Sequence, residues 1–248
     1  MKKSKLPIDS IPFPVSILMP VSNEADVIEF VIEEWISDVF RFLPKGSEFI
    51  FDEAGSNDGT NEILHKLSLK YSFIKVFHRK KKDGFGNAAK RLFSRASCPL
   101  VFFSDSDGQY LPSDFWKIAK FCNDNYDLIR GAKIGRKDPF IRRLSSAFFG
   151  KFIQFLFNTS YLDYNSGFFL IKRDVLSNLL PLLRSMPTLV NTELLLRAEL
   201  ENYSIKQVYV LHRRRKYGTS RGLNPSTYFL HALFAINGLY KIKASYRI

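Results

Sequence analysis

Runs of consecutive apolar residues alternate with segments of helical periodicity through the first half of the chain. The apolar runs predict buried strands at 15–21, 48–52, 73–78, 99–105 and 126–131. Between the strands, apolar residues recur at helical spacing in four segments, at 24–43, 60–71, 86–97 and 112–124. Because these strands do not alternate between apolar and polar positions, they predict an α/β fold with a mostly parallel sheet and helices on both faces.

The second half of the chain is more basic and more aromatic than the first. The pattern predicts a basic loop and a long aromatic helix within 135–162, strands at 167–173 and 205–212, a helix at 189–203 and a final amphipathic helix at 227–243. No repeat and no long linker divides the sequence. We therefore expect a single domain over 1–248, with a first half at about 13–131 and a second half at about 132–248.

Composition and charge limit the classes of partner. Hydrophobic residues make up 46% of the 248 residues, which is enough for a packed core. The 37 Lys and Arg against 24 Asp and Glu give a net charge of +13, which favours nucleic acid, a membrane surface or phosphorylated small molecules as partners. We see no recognition helix or RNA-binding aromatic motif, so nucleic acid is the least favoured of the three.

The sequence also gives expectations about the cellular compartment. Cys98 and Cys122 lack metal-site spacing and a disulfide framework, so we expect two buried thiols in a reducing compartment. The basic N-terminus has no apolar core of a signal peptide, and no stretch reaches the ~18 apolar residues of a membrane-spanning helix. The expected location is the cytoplasm.

Two aspartates follow the predicted strand 99–105 and need a compensating positive charge. Asp105, Asp107 and Gln109 are spaced two apart, and on an extended segment their oxygens would face one point. Oxygen ligands suit Mg²⁺ or Mn²⁺, which proteins commonly hold with one or two carboxylates plus substrate phosphates. The alternative interpretation is a solvated Asp-rich turn.

Three more polar loops are candidates for ligand binding. The loop 52–60 offers carboxylates to a base or ribose, or is a simple strand–turn–helix connection. The segment 79–91 combines four basic residues with glycines at a helix start, which favours an anion unless the loop is merely solvated. The basic loop 212–222 would suit a diphosphate or a lipid phosphate, with a solvated surface loop as its alternative. No Ser–His–Asp, Cys–His or His/Cys metal pattern is evident, and His212 is interpreted as structural.

Taken together, these stretches resemble family 2 glycosyltransferases of the GT-A fold, closest to the branch of dolichyl-phosphate mannose synthase and polyprenyl-phosphate glycosyltransferases. The resemblance spans nearly the whole chain and is carried by SILMPVSNEADVI, FDEAGSNDGT, DGFGNAAKRLFSRA, FFSDSDGQYLPSDF, DYNSGFFLIKRDV, ELLLRA and HRRRKYGTSRG. It implies a Rossmann-like nucleotide-sugar-binding first half and an acceptor-side second half. It also implies an inverting transfer assisted by Mg²⁺ or Mn²⁺ from a UDP- or GDP-sugar.

The resemblance assigns roles to individual residues. The substrate-binding set is Pro20, Ser22, Asn23, Glu24, Asp52, Glu53, Lys82, Gly84, Asn87, Lys90, Asp105, Ser106 and Ser220. Asp105, Asp107 and Gln109 form the implied metal and diphosphate motif, and Asp107, Asp163, Arg213 and Arg215 are the implied catalytic residues. One departure affects the base contacts, because Ala54 replaces the second aspartate of the family's turn and Asp52 stands where an apolar residue is usual.

The acceptor is the most open question. A hydroxyl acceptor would need a general base, for which Asp163 and Glu193 are candidates, whereas a phosphate acceptor is already ionised. Asp163 is otherwise assigned to acceptor positioning and Glu193 to structure. The aromatic and basic helices within 135–162 and 227–243 would lie in a membrane interface, or else pack on the sheet. We therefore expect a polyprenyl phosphate acceptor and a peripheral protein at the cytoplasmic membrane face, with a growing envelope glycan as the alternative acceptor and a non-catalytic binding protein as a further alternative.

Overall fold

A computed structural model describes residues 11–135, 140–159, 161, 163–215 and 228–246. Within these ranges there are seven strands, β1 (Val15–Val21), β2 (Glu48–Ala54), β3 (Ile74–Arg79), β4 (Leu100–Ser104), β5 (Leu128–Ile134), β6 (Phe168–Lys172) and β7 (Ile205–Leu211). The same ranges contain eight α-helices, α1 (Ile28–Asp38), α2 (Thr60–Lys70), α3 (Phe85–Arg95), α4 (Phe115–Ala119), α5 (Phe140–Phe157), α6 (Arg173–Leu179), α7 (Val190–Leu200) and α8 (Tyr228–Ser245). All seven predicted strands are confirmed.

Three differences from the predicted helices have local causes. The predicted helix 24–43 is shorter, because its chain leaves the α-helical path at Val39 and makes a 3₁₀ turn at Phe40–Phe42. The predicted helix 112–124 is a 3₁₀ turn followed by the short α4. Helix α6 was not predicted, because its seven residues are too few to show a clear helical period.

The strands form one sheet in the order β3-β2-β1-β4-β6-β5-β7. Neighbouring strands are parallel except for β6, which runs antiparallel to both β4 and β5. The mostly parallel sheet is therefore confirmed. Because β6 alone is reversed, it begins at the edge where the other six strands end, and this brings the segment before β6 to the loops that follow them.

Both faces of the sheet are covered by apolar side chains. On one face, the fully buried Trp35 of α1 packs against Phe49, Phe102, Phe115 and Phe168, with ring centroids 5.6–6.3 Å apart. On the other face, residues of β1, β2, β4 and β6 pack against α3, α5, α6 and α7. These two layers fix the strands, so the loops at their carboxyl ends stand on a rigid support.

The structure also bears on the two cysteines and on the expected absence of a membrane-spanning helix. Cys98 is buried as expected, whereas Cys122 is only partly buried, and both are free thiols. Among the described residues, no helix combines the length and apolar character needed to cross a membrane.

Candidate active site

A cavity of about 300 Å³ lies at the carboxyl edge of the sheet. Ten of the residues proposed from the sequence line it: Pro20, Ser22, Glu24, Lys82, Gly84, Asp105, Ser106, Asp107, Gln109 and Arg215. They come from the loops after β1, β3, β4 and β7, which the parallel strands bring to one edge. We call this space the donor cavity, after the nucleotide-sugar donor that the sequence resemblance implies.

Four lining residues were not predicted as site residues. Val21, Ala54, Phe85 and Ala88 give the donor cavity its apolar wall. An apolar residue at a strand end looks the same in the sequence whether it lines a cavity or fills the core. The only signal was Ala54, which stands where the family's turn usually has an aspartate and which faces the donor cavity here.

Asp105 lies next to Gly167, the residue that directly precedes β6. Its backbone N–H donates to the carbonyl of Gly167 at 3.1 Å, which continues the antiparallel pairing of β4 and β6. A Cβ atom at Gly167 would lie 2.3–2.5 Å from the Asp105 carboxylate, so only glycine leaves room for that carboxylate. The sequence offered this glycine in NSGF, but nothing in the pattern showed that it meets Asp105.

The Asp105 carboxylate accepts no hydrogen bond from the part of the chain that the structure describes. Burial and, after it, the nearby charges of Asp107 and Asp163 together raise its pKa to about 7, against the lowering effect of Lys133. A carboxylate in such surroundings is stabilised in its ionised form by a cation. The positive charge that the sequence called for is therefore still required by the folded site.

The chain geometry around Asp107 differs from the expected extended segment. Residues 106–108 form bends, Gly108 has a left-handed φ of +69°, and the Gln109 N–H donates to Asp107 Oδ1 at 3.0 Å. The prediction that alternate residues of a straight segment face one point was wrong. Asp105, Asp107 and Gln109 reach the same cavity through a turn, which a glycine at position 108 permits.

Two of the three arginines after β7, Arg213 and Arg215, have carboxylate partners on the loop and helix that follow β1. Arg213 forms a bidentate pair with Glu34 of α1, with Nη1 at 2.9 Å from Oε1, and its Nε donates to the Gly108 carbonyl. Arg215 pairs with Glu24 and lines the donor cavity. Arg213 thus fastens the turn of the aspartate motif, and Arg215 is the one of the two that faces the cavity. Ser220 lies outside the described residues.

Asp52 and Glu53 are both fully buried and both have protein partners. Asp52 accepts hydrogen bonds from Arg91 at 2.7 and 2.9 Å and from Arg95 at 3.0 Å, on the face covered by α3. Glu53 accepts the Ser56 N–H at 2.8 Å and a hydrogen bond from His78 Nδ1. Neither side chain lines the donor cavity, so the idea that Asp52 substitutes for the missing aspartate at position 54 is not supported by its surroundings.

Three further predicted binding residues hold loops together. The Asn23 backbone N–H donates to Ser56 Oγ at 2.8 Å, and its side-chain oxygen accepts the Asn57 N–H at 2.9 Å. Asn87 donates to the Asp83 carbonyl at 2.8 Å. Lys90 points the other way, to the Leu183 carbonyl at 3.4 Å. These residues shape the loops around the cavity without lining it.

The two candidate general bases are engaged by the protein. Asp163 accepts the Lys133 backbone N–H at 3.3 Å and the Asn165 N–H at 3.2 Å, and lies 3.5 Å from Lys133 Nζ. Glu193 is 1% exposed and accepts hydrogen bonds from the backbone N–H groups of Ser185 and Met186 and from Arg197 Nε. Asp163 anchors the loop that carries Gly167, and Glu193 has the structural role that was its alternative interpretation.

The donor set fits a divalent cation that arrives with its ligand. Asp105 and Asp107 supply oxygen atoms to the cavity, and Asp105 has a carboxylate that lacks donors from the described residues. Within the described ranges, no group of three or more His, Cys, Asp or Glu side chains is placed to hold a metal by itself. Such a site matches Mg²⁺ or Mn²⁺, which commonly keep substrate phosphates among their ligands.

Comparison with known proteins places the chain among sugar transferases. The model of the family described as Glycosyl transferase family 2 matches residues 16–180. An undecaprenyl-phosphate 4-deoxy-4-formamido-L-arabinose transferase of Pectobacterium atrosepticum is 26% identical over 213 residues, covering 84% of this chain and 62% of that protein. A dolichyl-phosphate hexose transferase of Haloferax volcanii is 24% identical over 204 residues, covering 81% and 83%. The chain thus spans less than two thirds of the length of the first of these relatives.

Solved structures share the fold. Glucosyl-3-phosphoglycerate synthase from Mycobacterium tuberculosis in complex with UDP matches with a TM-score of 0.67 and 21% identity over 92% of this chain and 80% of that one. Mannosyltransferase PcManGT from Pyrobaculum calidifontis, in complex with GDP-Man and Mn²⁺, matches with a TM-score of 0.64 and 14% identity over 93% and 64%. At these identities the likeness concerns the fold alone, and it confirms the GT-A architecture implied by the sequence.

Proposed function

The chain belongs to glycosyl transferase family 2, and from this premise we propose that it is an inverting, metal-dependent glycosyltransferase. The proposed reaction moves a sugar from a nucleotide-diphosphate sugar to a polyprenyl phosphate. One observation carries the proposal. The donor cavity brings the carboxylates of Asp105 and Asp107 together with the cationic Lys82 and Arg215, as a metal-bound diphosphate requires.

Each part of the donor cavity has a role in this reaction. A divalent cation held by Asp105 and Asp107 would offset the negative charge that develops on the diphosphate leaving group. Lys82 and Arg215 place further positive charge beside the same group. The wall formed by Val21, Ala54 and Phe85 excludes water from one side of the donor. Arg213 keeps the aspartate turn in place through Glu34 and Gly108.

The surroundings of the candidate bases favour a phosphate acceptor. Asp163 and Glu193 both accept hydrogen bonds from the protein, so neither is poised to take a proton from an acceptor hydroxyl. An acceptor phosphate is ionised at neutral pH and attacks without such a base. The names of the relatives, an undecaprenyl-phosphate and a dolichyl-phosphate transferase, support the same class of acceptor.

Exposed apolar side chains support contact with a membrane, where a polyprenyl phosphate resides. On α5, Leu144, Phe148 and Phe155 are 59%, 73% and 86% exposed and lie on one stripe of the helix. On α8, Phe234 and Tyr240 are more than half exposed. Combined with the net charge of +13, these surfaces suit the interface of a bilayer with anionic lipid. We place the protein at the cytoplasmic face, where nucleotide sugars are available.

Sugar transfer with purified protein tests the proposal. The assay would combine UDP- and GDP-sugars, Mn²⁺ or Mg²⁺, and either undecaprenyl phosphate, dolichyl phosphate, an oligosaccharide or no acceptor. We expect a glycolipid whose formation is lost on chelation and reduced by about 100-fold or more in Asp107→Ala, because a charge-stabilising group of the transition state is removed. The anomeric configuration of the product, read by NMR, tests inversion.

Asp124→Ala is the matched control, because it removes an exposed carboxylate before β5, at the opposite edge of the sheet. It should leave the rate unchanged. If the sugar were transferred to the oligosaccharide and not to the lipid, the acceptor would be a glycan and not a polyprenyl phosphate. If the protein bound no nucleotide sugar in the presence of metal, the enzymatic proposal would be rejected. The alternative of a non-catalytic binding protein would then be favoured.

A further inference from the structure

A second cavity, of about 520 Å³, lies beside the edge strand β3 and outside the donor cavity. Its lining includes His78, Arg79, Lys80, Lys81 and Arg95, and Asp83 is the one carboxylate among its lining residues. We call it the outer cavity. Like charges gathered in one concave space repel each other unless an anion is present, because a cleft lined by one sign of charge concentrates its field.

The cations of the outer cavity are poorly compensated by the protein. Among the described residues, none forms a salt bridge with the exposed Arg79, Lys80 or Lys81. The carboxylate of Asp83 is already ion-paired with Arg91 at 2.5 Å. Arg79 makes no salt bridge with Asp83 among the described residues, but its charge helps to lower the Asp83 pKa. The surplus positive charge of Arg79, Lys80 and Lys81 therefore faces this cavity and the solvent.

Other features of the outer cavity are fixed by the fold. Arg95 lies with its Cζ 3.9 Å from the centre of the Phe77 ring and pairs with the buried Asp52 at 3.0 Å, so its position is set from two sides. Among the described strands β3 pairs only with β2, so every second backbone N–H of β3 points outward along this edge of the sheet. Outward N–H groups and neighbouring cations together form the surroundings in which phosphate groups bind.

The outer cavity is separate from the donor cavity. The segment 79–84 divides the two, because Lys82 and Gly84 line the donor cavity whereas Arg79, Lys80 and Lys81 line the outer one. The segment is seated on Gly55, whose added Cβ would lie 2.7 Å from the backbone nitrogen of Lys82. The run of four basic residues that the sequence suggested for one anion is thus shared between two sites.

We propose that the outer cavity is a binding site for the phosphate group of a second anionic ligand, distinct from the sugar donor. The ligand class is a phosphate or diphosphate, carried either by a small molecule in solution or by a lipid headgroup. The proposal does not depend on the sugar-transfer reaction, because it concerns residues that do not line the donor cavity.

Calorimetric titration with inorganic pyrophosphate tests the site in solution. The titration is done with a chelator and at constant ionic strength, because the metal-free carboxylates of Asp105 and Asp107 then repel pyrophosphate from the donor cavity. We expect the double variant Lys80→Gln/Lys81→Gln to bind about 10-fold more weakly than the wild type. Both side chains are exposed, so the variant should fold normally, which its thermal unfolding temperature checks.

The control Lys45→Gln/Lys66→Gln removes the same charge from exposed positions in the turn before β2 and on α2. Its pyrophosphate affinity should equal that of the wild type. Equal weakening in both double variants would overturn the proposal, because only net charge would matter. Loss of binding in Lys82→Gln but not in Lys80→Gln/Lys81→Gln would also overturn it, because the anion would then occupy the donor cavity.

A second arm distinguishes the source of the phosphate. Sedimentation with vesicles of phosphatidylcholine and phosphatidylglycerol in equal parts measures lipid binding of the same variants. Weaker vesicle binding of Lys80→Gln/Lys81→Gln relative to the Lys45→Gln/Lys66→Gln control would assign a lipid headgroup. Weaker pyrophosphate binding with equal vesicle binding would assign a free ligand, and no difference in either arm would reject the site.

Discussion

Three carboxylates stand at the carboxyl ends of β2 and β4, and their neighbours differ. Asp52 is neutralised by two arginines, and Glu53 by a backbone N–H and His78. Asp105 instead lies against Gly167, where burial raises its pKa to about 7. At the scale of single residues, the carboxylate without donors from the described residues is therefore the one that needs a ligand from outside.

Gly167→Ala tests whether the space beside Asp105 matters for metal binding. The added methyl would lie within 2.5 Å of the carboxylate and force it to move, so we expect the affinity for Mn²⁺ to fall about 10-fold or more. Titration of free Mn²⁺ by electron paramagnetic resonance gives the affinity. The control Gly131→Ala also overpacks the sheet, since its Cβ would lie 2.7 Å from Val210 Cγ2 and 3.1 Å from Phe168 Cδ1 and O, but its nearest contacts do not include the Asp105 carboxylate.

Both glycine variants should lose about 1–3 kcal/mol of unfolding free energy through overpacking. Only Gly167→Ala should lose Mn²⁺ affinity. Unchanged Mn²⁺ binding in Gly167→Ala, or an equal loss in Gly131→Ala, would contradict the assigned role of this glycine.

At the scale of elements, the reversed strand β6 organises the site. Because β6 begins where β4 ends, the loop anchored by Asp163 and Lys133 meets the aspartate motif at the edge. Tyr110 reinforces this contact, since its hydroxyl accepts the Gly167 N–H at 3.2 Å and lies 3.2 Å from Ser166 Oγ. A fully parallel sheet would have placed that loop at the opposite edge.

Glu48 joins several elements at the opposite edge of the sheet. It accepts hydrogen bonds from Ser16 of β1, from Ser97 before β4 and from Lys75 of β3 at 2.6 Å. Burial alone would raise the pKa of Glu48, but these hydrogen bonds outweigh it and hold the pKa at about 2. A carboxylate with a lowered folded-state pKa stabilises the fold above its unfolded-state value of about 4.5 and loses that contribution as the pH falls towards about 2.

Glu48→Gln should therefore lower the unfolding free energy at neutral pH by on the order of 3 kcal/mol. The difference from the wild type should shrink as the pH falls from about 4.5 towards about 2. Urea unfolding across this pH range gives both quantities. The exposed Glu62 provides the control Glu62→Gln, and a pH-independent difference for Glu48→Gln would contradict the ionised role of this residue.

At the scale of the whole molecule, the net charge and the exposed apolar surface bear on the proposed membrane contact, whereas the donor cavity bears on the proposed chemistry. In the proposed membrane contact, the surplus of +13 charges would attract anionic lipid, and the exposed stripe on α5 would offer apolar contact of the kind that enters a bilayer interface. These two properties belong to the surface as a whole and not to any one residue.

Phe148→Ser/Phe155→Ser should weaken binding to vesicles of phosphatidylcholine and phosphatidylglycerol by about 10-fold or more, since each buried Phe contributes ~1.5–3 kcal/mol. Vesicle sedimentation measures the effect. Phe13→Ser/Leu69→Ser removes two apolar residues that are 52% and 76% exposed outside α5 and α8, and it should bind as the wild type does. If both double variants bound vesicles equally, α5 would not be part of the membrane contact.

The sequence pattern determined the α/β class and all seven strands, and the resemblance of its motifs to family 2 glycosyltransferases indicated ten lining residues of the donor cavity. The strands are local features, because strand periodicity is set within a few neighbours along the chain. The short helix α6 and the ends of α1 and α4 were missed, since packing against the sheet decides where such helices stop.

Only the tertiary structure decided which charged groups face a ligand. Asp52 and Arg91 are separated by 39 residues, and Arg213 and Glu34 by 179, so no sequence pattern could show that they neutralise each other. The same holds for Gly167 and Asp105, which meet because one strand is reversed. The free energy of a buried charge depends on partners within a few ångströms, and folding brings those partners together from distant parts of the chain.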